Sequence, residues 1–286
     1  MKNILLATDL TANSDRAMER ALKIAKEAGA KLHIVHVLPG YKEKKLVSTL
    51  KEDTEDLIRG YIYDYKDSQG LNVVINALQG GEAYAEILGY ARKIKADLIV
   101  MGTHGKTGIR DLFAGTTVER VARKGAWPVL MVRNKPTGGS YQSIVAGVDF
   151  SPGSRAALRT AMEISPKAVF SVVHAYSIPV YAGEMSYVYI ESRAVMEDEQ
   201  QKMLNAFLKT EAAHFKKEHN GATSRISGKL AQEPIYPAIV QHAKKSKADV
   251  IAIGAHGRVG PMPGLLGGVA QDILAEPPCD VLVVRD

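Results

Sequence analysis

The segment Ala96-Asp-Leu-Ile-Val-Met-Gly-Thr-His-Gly105 recurs 152 residues later in the chain as Ala248-Asp-Val-Ile-Ala-Ile-Gly-Ala-His-Gly257. Two further pairs of segments flank this one: Asn3-Ile-Leu-Leu-Ala-Thr-Asp9 with Ser143-Ile-Val-Ala-Gly-Val-Asp149, and Val129-Leu-Met-Val132 with Val281-Leu-Val-Val284. The matched segments follow one another in the same order in both halves, which indicates a repeated structural unit. The sequence therefore predicts two tandem domains, at residues 1–136 and 143–286, joined by a linker at 137–142.

Each half alternates continuous apolar runs with segments of helical periodicity. In the first half the expected strands are 3–9, 31–38, 71–78, 97–102 and 128–133, and the expected helices are 12–28, 43–67, 83–94 and 116–125. Continuously apolar strands are typical of a parallel sheet that is covered on both faces. The predicted fold is therefore α/β, with two tandem doubly wound domains, each a five-stranded parallel sheet with helices on both faces. Ligands of such sheets bind beyond the carboxyl ends of the strands.

The second copy is the longer one, since the offset between the copies rises from 140 residues at the first strand to 152 at the fourth. We place the extra residues at 177–198, because the tyrosine-rich stretch 181–189 has no counterpart in the first copy.

The composition of the chain limits the classes of protein to which it can belong. Hydrophobic residues make up 46% and charged residues 24% of the chain, as in a soluble globular protein, and no apolar run reaches the roughly 20 residues of a membrane span. The single cysteine, Cys279, excludes an intrachain disulfide or a CxxC metal site and favours a cytoplasmic location. The net charge of +6 lies in residues 1–140, which fits either an anionic ligand or solvated lysines. Basic residues are not interleaved with aromatic ones, so no nucleic-acid partner is expected.

A glycine motif follows the fourth strand. Gly102 and Gly105 are separated by nine residues from Gly115-Thr116. Glycines let backbone amides approach a phosphate closely, and the amides at the start of a helix at Thr116 favour an anion. The alternative is structural: Thr116 and Glu119 fit a capping box, and glycines after a strand are common turn residues.

An aspartate ends the first strand of each copy. The carboxylate of Asp9 can accept hydrogen bonds from an adenine amino group or a ribose hydroxyl. It could instead help to cap the following helix, although Thr11 already stands at the N-cap position. Asp149 recurs at the same point, before Ser151-Pro152, and this repetition favours a ligand contact.

Together these residues resemble the universal stress protein family, over nearly the whole chain and twice. The family signature is Gly-x-x-Gly, nine residues, then Gly followed by Ser or Thr, and the first copy reproduces it in full. The resemblance implies an adenine nucleotide alpha hydrolase-like fold and an ATP site, with Mg²⁺ held by the phosphates and not by protein side chains. It assigns Asp9 and Val37 to the nucleoside, Met101 to the ribose or base, and the glycine loop to the phosphates. The full set implied for the first copy is Ala7, Thr8, Asp9, Val37, Met101, Gly102, Gly105, Lys106, Gly115, Thr116 and Thr117. Lys106 either adds positive charge near the phosphates or is solvated.

The second copy departs from this signature. Gly268 stands where a hydroxyl residue is expected, and the preceding loop carries two prolines, which lack amide donors. A weaker nucleotide site is expected there, or else a degenerate copy kept for structure. The residues expected to form this second site are Asp149, Ala175, Gly254, Gly257, Gly267 and Gly268.

The histidines do not predict catalysis. His104 and His256 share one repeat position in a turn, and neither has a nucleophile or a metal-ligand set around it. His36 and His174, near the ends of the second strands, are interpreted as core or edge residues. No catalytic residue is therefore assigned.

Three functions remain open. The leading one is a cytoplasmic stress-response protein that binds ATP, mainly in its first half, as a nucleotide-dependent sensor or regulator. The second is a slow ATPase or a nucleotidyl-transferring enzyme, against which stands the lack of an obvious general base near the glycine loop. The third is an interaction protein without a nucleotide. The resemblance also implies that the two halves pair through their last strands, with a homodimer and unidentified protein partners expected beyond that.

Overall fold

The computed structural model describes residues 1–103, 117–135, 139–177, 187–257 and 265–285. The first half consists of β1 (Asn3–Ala7), α1 (Ala12–Ala28), β2 (Lys31–Leu38), α2 (Lys44–Tyr63), β3 (Val73–Gln79), α3 (Ala83–Ile94), β4 (Leu98–Gly102), α4 (Thr117–Lys124) and β5 (Val129–Val132). The second half consists of β6 (Ser143–Gly147), α5 (Pro152–Ile164), β7 (Val169–Ala175), α6 (Tyr187–Glu218), β8 (Arg225–Ala231), α7 (Ile235–Lys245), β9 (Val250–Gly254), α8 (Gly268–Ala275) and β10 (Asp280–Val284).

All ten strands form one sheet, in the order β3-β2-β1-β4-β5-β10-β9-β6-β7-β8. Neighbouring strands within each half are parallel, which confirms the predicted α/β tandem fold. The halves meet where β5 pairs antiparallel with β10, with Leu130 opposite Leu282. In each half the strand order reverses beside the first strand, between β1 and β4 and between β6 and β9. A crevice for a ligand is expected at these reversal points.

The core continues through both halves on both faces of the sheet. Ile4 and Leu6 of β1 belong to the cluster that includes residues of α1, α5 and α6, whereas Leu5 and Ala7 belong to the cluster with residues of α3, α4, α7 and α8. Successive strand residues point to opposite faces, so a strand covered on both sides must be apolar throughout. Since both clusters also include residues of β5 and β10, the two halves share one core.

A buried carboxylate secures the connection between the halves. Asp280, at the start of β10, is fully buried, and its Oδ1 accepts hydrogen bonds from the backbone N–H groups of Arg133 (2.8 Å) and Asn134 (2.9 Å). Its Oδ2 accepts one from the hydroxyl of Tyr141 (2.7 Å), whose ring lies 3.8 Å below the guanidinium of Arg20. Burial raises the pKa of Asp280 above its ordinary value, and burial likewise raises the pKa of Tyr141. The chain leaving β5 and the chain entering β6 are thus bound to the same side chain.

The prediction of one helix over residues 43–67 is wrong at its C-terminal end. α2 ends at Tyr63, and a separate short 3-10 helix follows at Lys66–Ser68.

The longer second copy corresponds to a longer helix, since α6 has 32 residues and α2 has 20. Part of the predicted insertion, residues 178–186, lies outside the described residues. Further along α6, the fully buried carboxylate of Glu211 pairs with Arg155 and, at 2.7 Å, with Arg159, and these ion pairs hold α6 against α5.

Lys95 and Lys247 occupy one repeat position and have positive φ values of 52° and 50°. Left-handed backbone is unfavourable for a residue with a Cβ atom, whereas glycine adopts it freely. We expect Lys95→Gly and Lys247→Gly each to raise the free energy of unfolding by about 0.5–1 kcal/mol, as measured by urea unfolding. Lys95→Ala is the control, because it removes the long side chain but keeps the Cβ atom. An equal gain from alanine would show that the backbone conformation is not the cause.

Candidate functional site

A cavity opens at the carboxyl ends of β1, β2 and β4, where the strand order of the first half reverses. It is lined by Ala7, Thr8, Asp9, Ser14, Val35, His36, Val37, Ala83, Ile87, Met101, Gly102 and Thr117. The structure thus brings together seven of the residues predicted from the sequence: Ala7, Thr8, Asp9, Val37, Met101, Gly102 and Thr117. The other four, Gly105, Lys106, Gly115 and Thr116, lie outside the described residues, as does His104.

The carboxylate of Asp9 organises the turn between β1 and α1. Its Oδ1 accepts hydrogen bonds from the backbone N–H of Thr11 (3.1 Å), the Thr11 hydroxyl (2.7 Å) and the Ser14 hydroxyl (2.6 Å). Thr11 is the N-cap residue, but its side chain makes no capping bond to the backbone of α1. Asp9 therefore stabilises the helix start and also stands, exposed, at the edge of the cavity.

This turn holds a strained backbone in both halves. Leu10 and Phe150, the residues after the two aspartates, have φ values of 61° and 65°. Asp149 repeats the local bonds, since its Oδ1 accepts from the backbone N–H and the hydroxyl of Ser151. Left-handed backbone costs a non-glycine residue roughly 1–2 kcal/mol, and such strain is concentrated at binding sites. The turn is thus built to fix the position of the carboxylate.

His36 lines the first cavity, although the sequence was interpreted as placing it in the core or at an edge. Its Nδ1 lies 2.9 Å from the carbonyl oxygen of Thr8, and because a carbonyl only accepts, Nδ1 carries the proton. His174 makes the same bond to the carbonyl of Val148 (2.8 Å) and is buried, as the core interpretation expects. The sequence signal that His36 could line the cavity was its position near the carboxyl end of the second strand.

Other lining residues were also missed from the sequence. Ser14 follows Asp9 by five residues, just as Ser154 follows Asp149, and this repetition was available in the sequence. Ala83 and Ile87 lie on α3, an element that carries no motif, so only the fold shows that they reach the cavity.

The first turn of α4 borders the cavity through Thr117. The N-terminus of a helix presents unpaired N–H groups and a partial positive charge, which favour an anion. The neighbouring cation, Arg120, is already paired with Glu82 at 2.6 Å and lies over the ring of Tyr84. The described lining of this cavity includes no lysine or arginine, so the groups that it offers to an anion are backbone N–H groups and hydroxyls.

A second cavity, of about 360 Å³, occupies the equivalent place in the second half. Its lining includes all six residues predicted there: Asp149, Ala175, Gly254, Gly257, Gly267 and Gly268. A Cβ atom on Gly254 would lie 2.9 Å from the backbone nitrogen of Ser154, so the end of β9 packs directly on the start of α5. Most of the remaining lining is aliphatic.

His256 serves the second cavity as a structural residue. It is 8% exposed, and its Nε2 lies 2.6 Å from the carbonyl oxygen of Leu265, which fixes the chain before α8. Its Nδ1 has no hydrogen-bond partner among the described residues.

Three further observations concern the described ranges of the chain. Within them, no three His, Cys, Asp or Glu side chains converge as metal ligands. Nor is any described helix apolar over a length that could cross a bilayer. Burial raises the pKa of Cys279 to about 12, so this thiol is protonated at neutral pH and is not a nucleophile.

Comparison with known proteins identifies the same family in both halves of the chain. The model of the universal stress protein family matches residues 1–133 and again residues 140–285. A universal stress protein of Methanocaldococcus jannaschii is 35% identical over 141 residues, which cover 46% of this chain and 82% of that protein.

Two solved structures align with the whole chain. One is a universal stress protein from Archaeoglobus fulgidus, with a TM-score of 0.71 and 17% identity, covering 99% of this chain and 98% of that one. The other is a functionally unknown protein from Pseudomonas aeruginosa, with a TM-score of 0.67 and 20% identity, covering 100% of this chain and 92% of that one. At these identities the likeness concerns the fold alone.

Proposed function

The chain belongs to the universal stress protein family as a tandem of two copies, and on that premise we propose that its first half binds ATP. The bound nucleotide makes the protein a cytoplasmic regulator of a stress response. The observation that carries this proposal is the cavity at the reversal point between β1 and β4, which gathers residues from three strand ends and the start of α4.

The chemistry of the lining, and not the described volume of about 90 Å³, is what suits this cavity to an adenine ring and its ribose. Ala7, Val37, Ile87 and Met101 supply apolar surface, and ligand pockets combine such surface with a few polar groups that fix orientation. Here the polar groups are those of the β1–α1 turn, with Asp9 held in place by three hydrogen bonds. The nucleoside is proposed to lie between the ends of β2 and β4.

The outer part suits the phosphates. Gly102 ends β4 and Thr117 begins α4, so the loop that carries the remaining signature residues starts and ends at the cavity. In the proposal, Gly105, Lys106, Gly115 and Thr116 of that loop hold the phosphates, and Mg²⁺ is bound through the phosphates. Three residues on the described walls carry hydroxyls: Thr8, Ser14 and Thr117.

The acceptors on the described walls bear on whether bound ATP is also hydrolysed. A general base must reach the attacking water with a free acceptor. The Oδ1 atom of Asp9 already accepts three hydrogen bonds, whereas His36 donates from Nδ1 to Thr8, so its Nε2 is the ring nitrogen that carries a lone pair. Slow hydrolysis is the alternative, and phosphate release measured beside binding distinguishes the two.

The test is calorimetric titration of the purified protein with Mg²⁺-ATP. We expect about one strong site per chain. Val37→Trp, which places a large ring inside the first cavity, should weaken this site by more than tenfold, or about 1.4 kcal/mol. Undiminished ATP binding by this variant, with the fold checked by circular dichroism, would place the nucleotide elsewhere.

Homodimerisation stays a prediction, and the structure narrows where it could occur. The last strands, through which family homodimers are expected to associate, pair within one chain here. A dimer of whole chains would therefore need a different surface, and light scattering coupled to size-exclusion chromatography measures whether it forms.

A further inference from the structure

The two cavities occupy equivalent places but have different walls. Thr8 and Thr117 line the first cavity, and Val148 and Val269 stand at the same repeat positions in the second. Valine has nearly the shape of threonine but no hydroxyl. The second cavity has thus lost two of the three hydroxyl side chains that line the first cavity and keeps one, since Ser154 stands at the repeat position of Ser14.

Two further replacements also make the second copy less polar or more aliphatic at this site. Gly268 stands where the first copy has Thr116, so a third hydroxyl is missing from the sequence of the second copy. On the side of α7, Ile235 replaces the smaller Ala83. The second cavity is therefore more apolar and not merely a damaged copy, since random loss of a phosphate site gives no reason for added aliphatic surface.

The aliphatic surface is arranged as a pocket with an open rim. Ile239, Ile253 and Leu266 are buried and form the wall. Ile235 and Leu265 lie on the rim and are 44% and 46% exposed, which is costly for such side chains without a partner. The volume, about 360 Å³, falls within the range of small-molecule pockets, roughly 300–1,000 Å³. The lining residues that the structure describes include no lysine or arginine.

From these walls we propose that the second cavity binds an apolar small molecule carrying an alkyl or acyl chain, and not a nucleotide. The chain lies against Ile239, Ile253 and Leu266, and its entry covers the exposed rim. The affinity then comes from burial of methylene groups, each of which contributes about fourfold. The protein would hold different ligand classes in its two halves, so the second half could report on an apolar metabolite while the first reports on ATP.

The test uses N-phenyl-1-naphthylamine, a neutral apolar fluorophore, as the probe, with the full-length protein. We expect saturable fluorescence enhancement at one site, reversed by 1-alkanols. Displacement should strengthen about fourfold per methylene from octanol to dodecanol, until the cavity is filled. ATP and adenosine should leave the probe bound. Displacement by adenosine or ATP, with no effect of dodecanol, would overturn the proposal, as would the absence of a saturable site.

Two variants locate the probe. Ala175→Trp fills the second cavity and should weaken probe binding by more than tenfold, whereas the matched change Val37→Trp in the first half should not. Because a tryptophan could disturb folding, the near-isosteric double variant Val148→Thr/Val269→Thr is the second arm. It restores two hydroxyls and should weaken the probe roughly tenfold, while ATP binding in the first half is unchanged. Equal losses from Val37→Trp and Ala175→Trp, or no loss from Ala175→Trp and the double threonine variant, would overturn the assignment.

Discussion

Gly115→Val should lower the affinity of the protein for ATP by more than tenfold, a loss of at least about 1.4 kcal/mol. Gly115 lies outside the described residues, so the reason comes from its repeat counterpart. Gly267 stands immediately before α8 with φ −65° and ψ 150°, a conformation that valine adopts. A Cβ atom there would lie 3.4 Å from the carbonyl oxygen of Ala255, which is tight but tolerable. The substitution should therefore spare the fold and place methyl groups where the backbone is proposed to meet phosphate.

The matched control is Gly267→Val in the second half. If ATP binds in the first half, this change should leave the amount of bound ATP nearly unchanged, as measured by calorimetry or by nucleotide released from denatured protein. Equal losses of nucleotide from the two variants would show that both halves bind ATP, and our ranking of the halves would be wrong.

Most elements could be predicted from the sequence because their physical signals are local. The strands are continuous apolar runs, and several helices end where the sequence predicts an interruption, as α1 does at Gly29 with φ 60°. The exception is the C-terminal part of the helix expected at 43–67. There the chain leaves α2 after Tyr63, and the 3-10 turn packs beside α1, with Lys26 paired to Asp67. That tertiary contact leaves no periodic trace in the sequence.

The candidate site could be predicted only where it coincides with a repeated motif. Val37 and Gly102 lie at the ends of β2 and β4, and Asp9 lies in the turn two residues after β1; parallel strands bring their carboxyl ends to one edge of the sheet. The α3 residues of the first cavity and the α7 residues of the second belong to helices without any motif. The apolar character of the second cavity depends on the position of α7 beside β9, which no motif predicts.

A single buried carboxylate should contribute more to the stability of the protein than any surface ion pair. We expect Asp280→Ala to lower the free energy of unfolding by about 2–4 kcal/mol, measured by urea unfolding followed by circular dichroism. The variant removes the acceptor of three hydrogen bonds, from the N–H groups of Arg133 and Asn134 and from the hydroxyl of Tyr141. Because Tyr141 is buried, its hydroxyl is left without a partner, and an unsatisfied buried donor costs about 1–3 kcal/mol.

This clamp has no counterpart at the same repeat position of the first half. Pro128 occupies the repeat position of Asp280 in the first half and has no side-chain acceptor, so no equivalent clamp exists there. Asp249 also accepts two backbone bonds, at Gln142 and Ser143, but it does so at the start of β6 and not between the last strands. Loss of Asp280 should therefore loosen the connection between the halves and increase proteolysis near residues 133–142.

Asp280→Asn separates the role of the hydrogen bonds from that of the charge. The carboxamide oxygen can still accept from Arg133 and Asn134, and its NH₂ group can donate to the oxygen of Tyr141, so the loss should be smaller than with alanine.

Burial raises the pKa of Asp280 in the folded protein, so ionisation is less favourable there than in the unfolded chain. The wild-type protein should consequently lose stability as the pH rises from the unfolded value, about 3.9, through the raised folded pKa, and the asparagine variant should lack this component. Equal stability losses from asparagine and alanine, with the same pH dependence as the wild type, would show that Asp280 does not act as this buried acceptor.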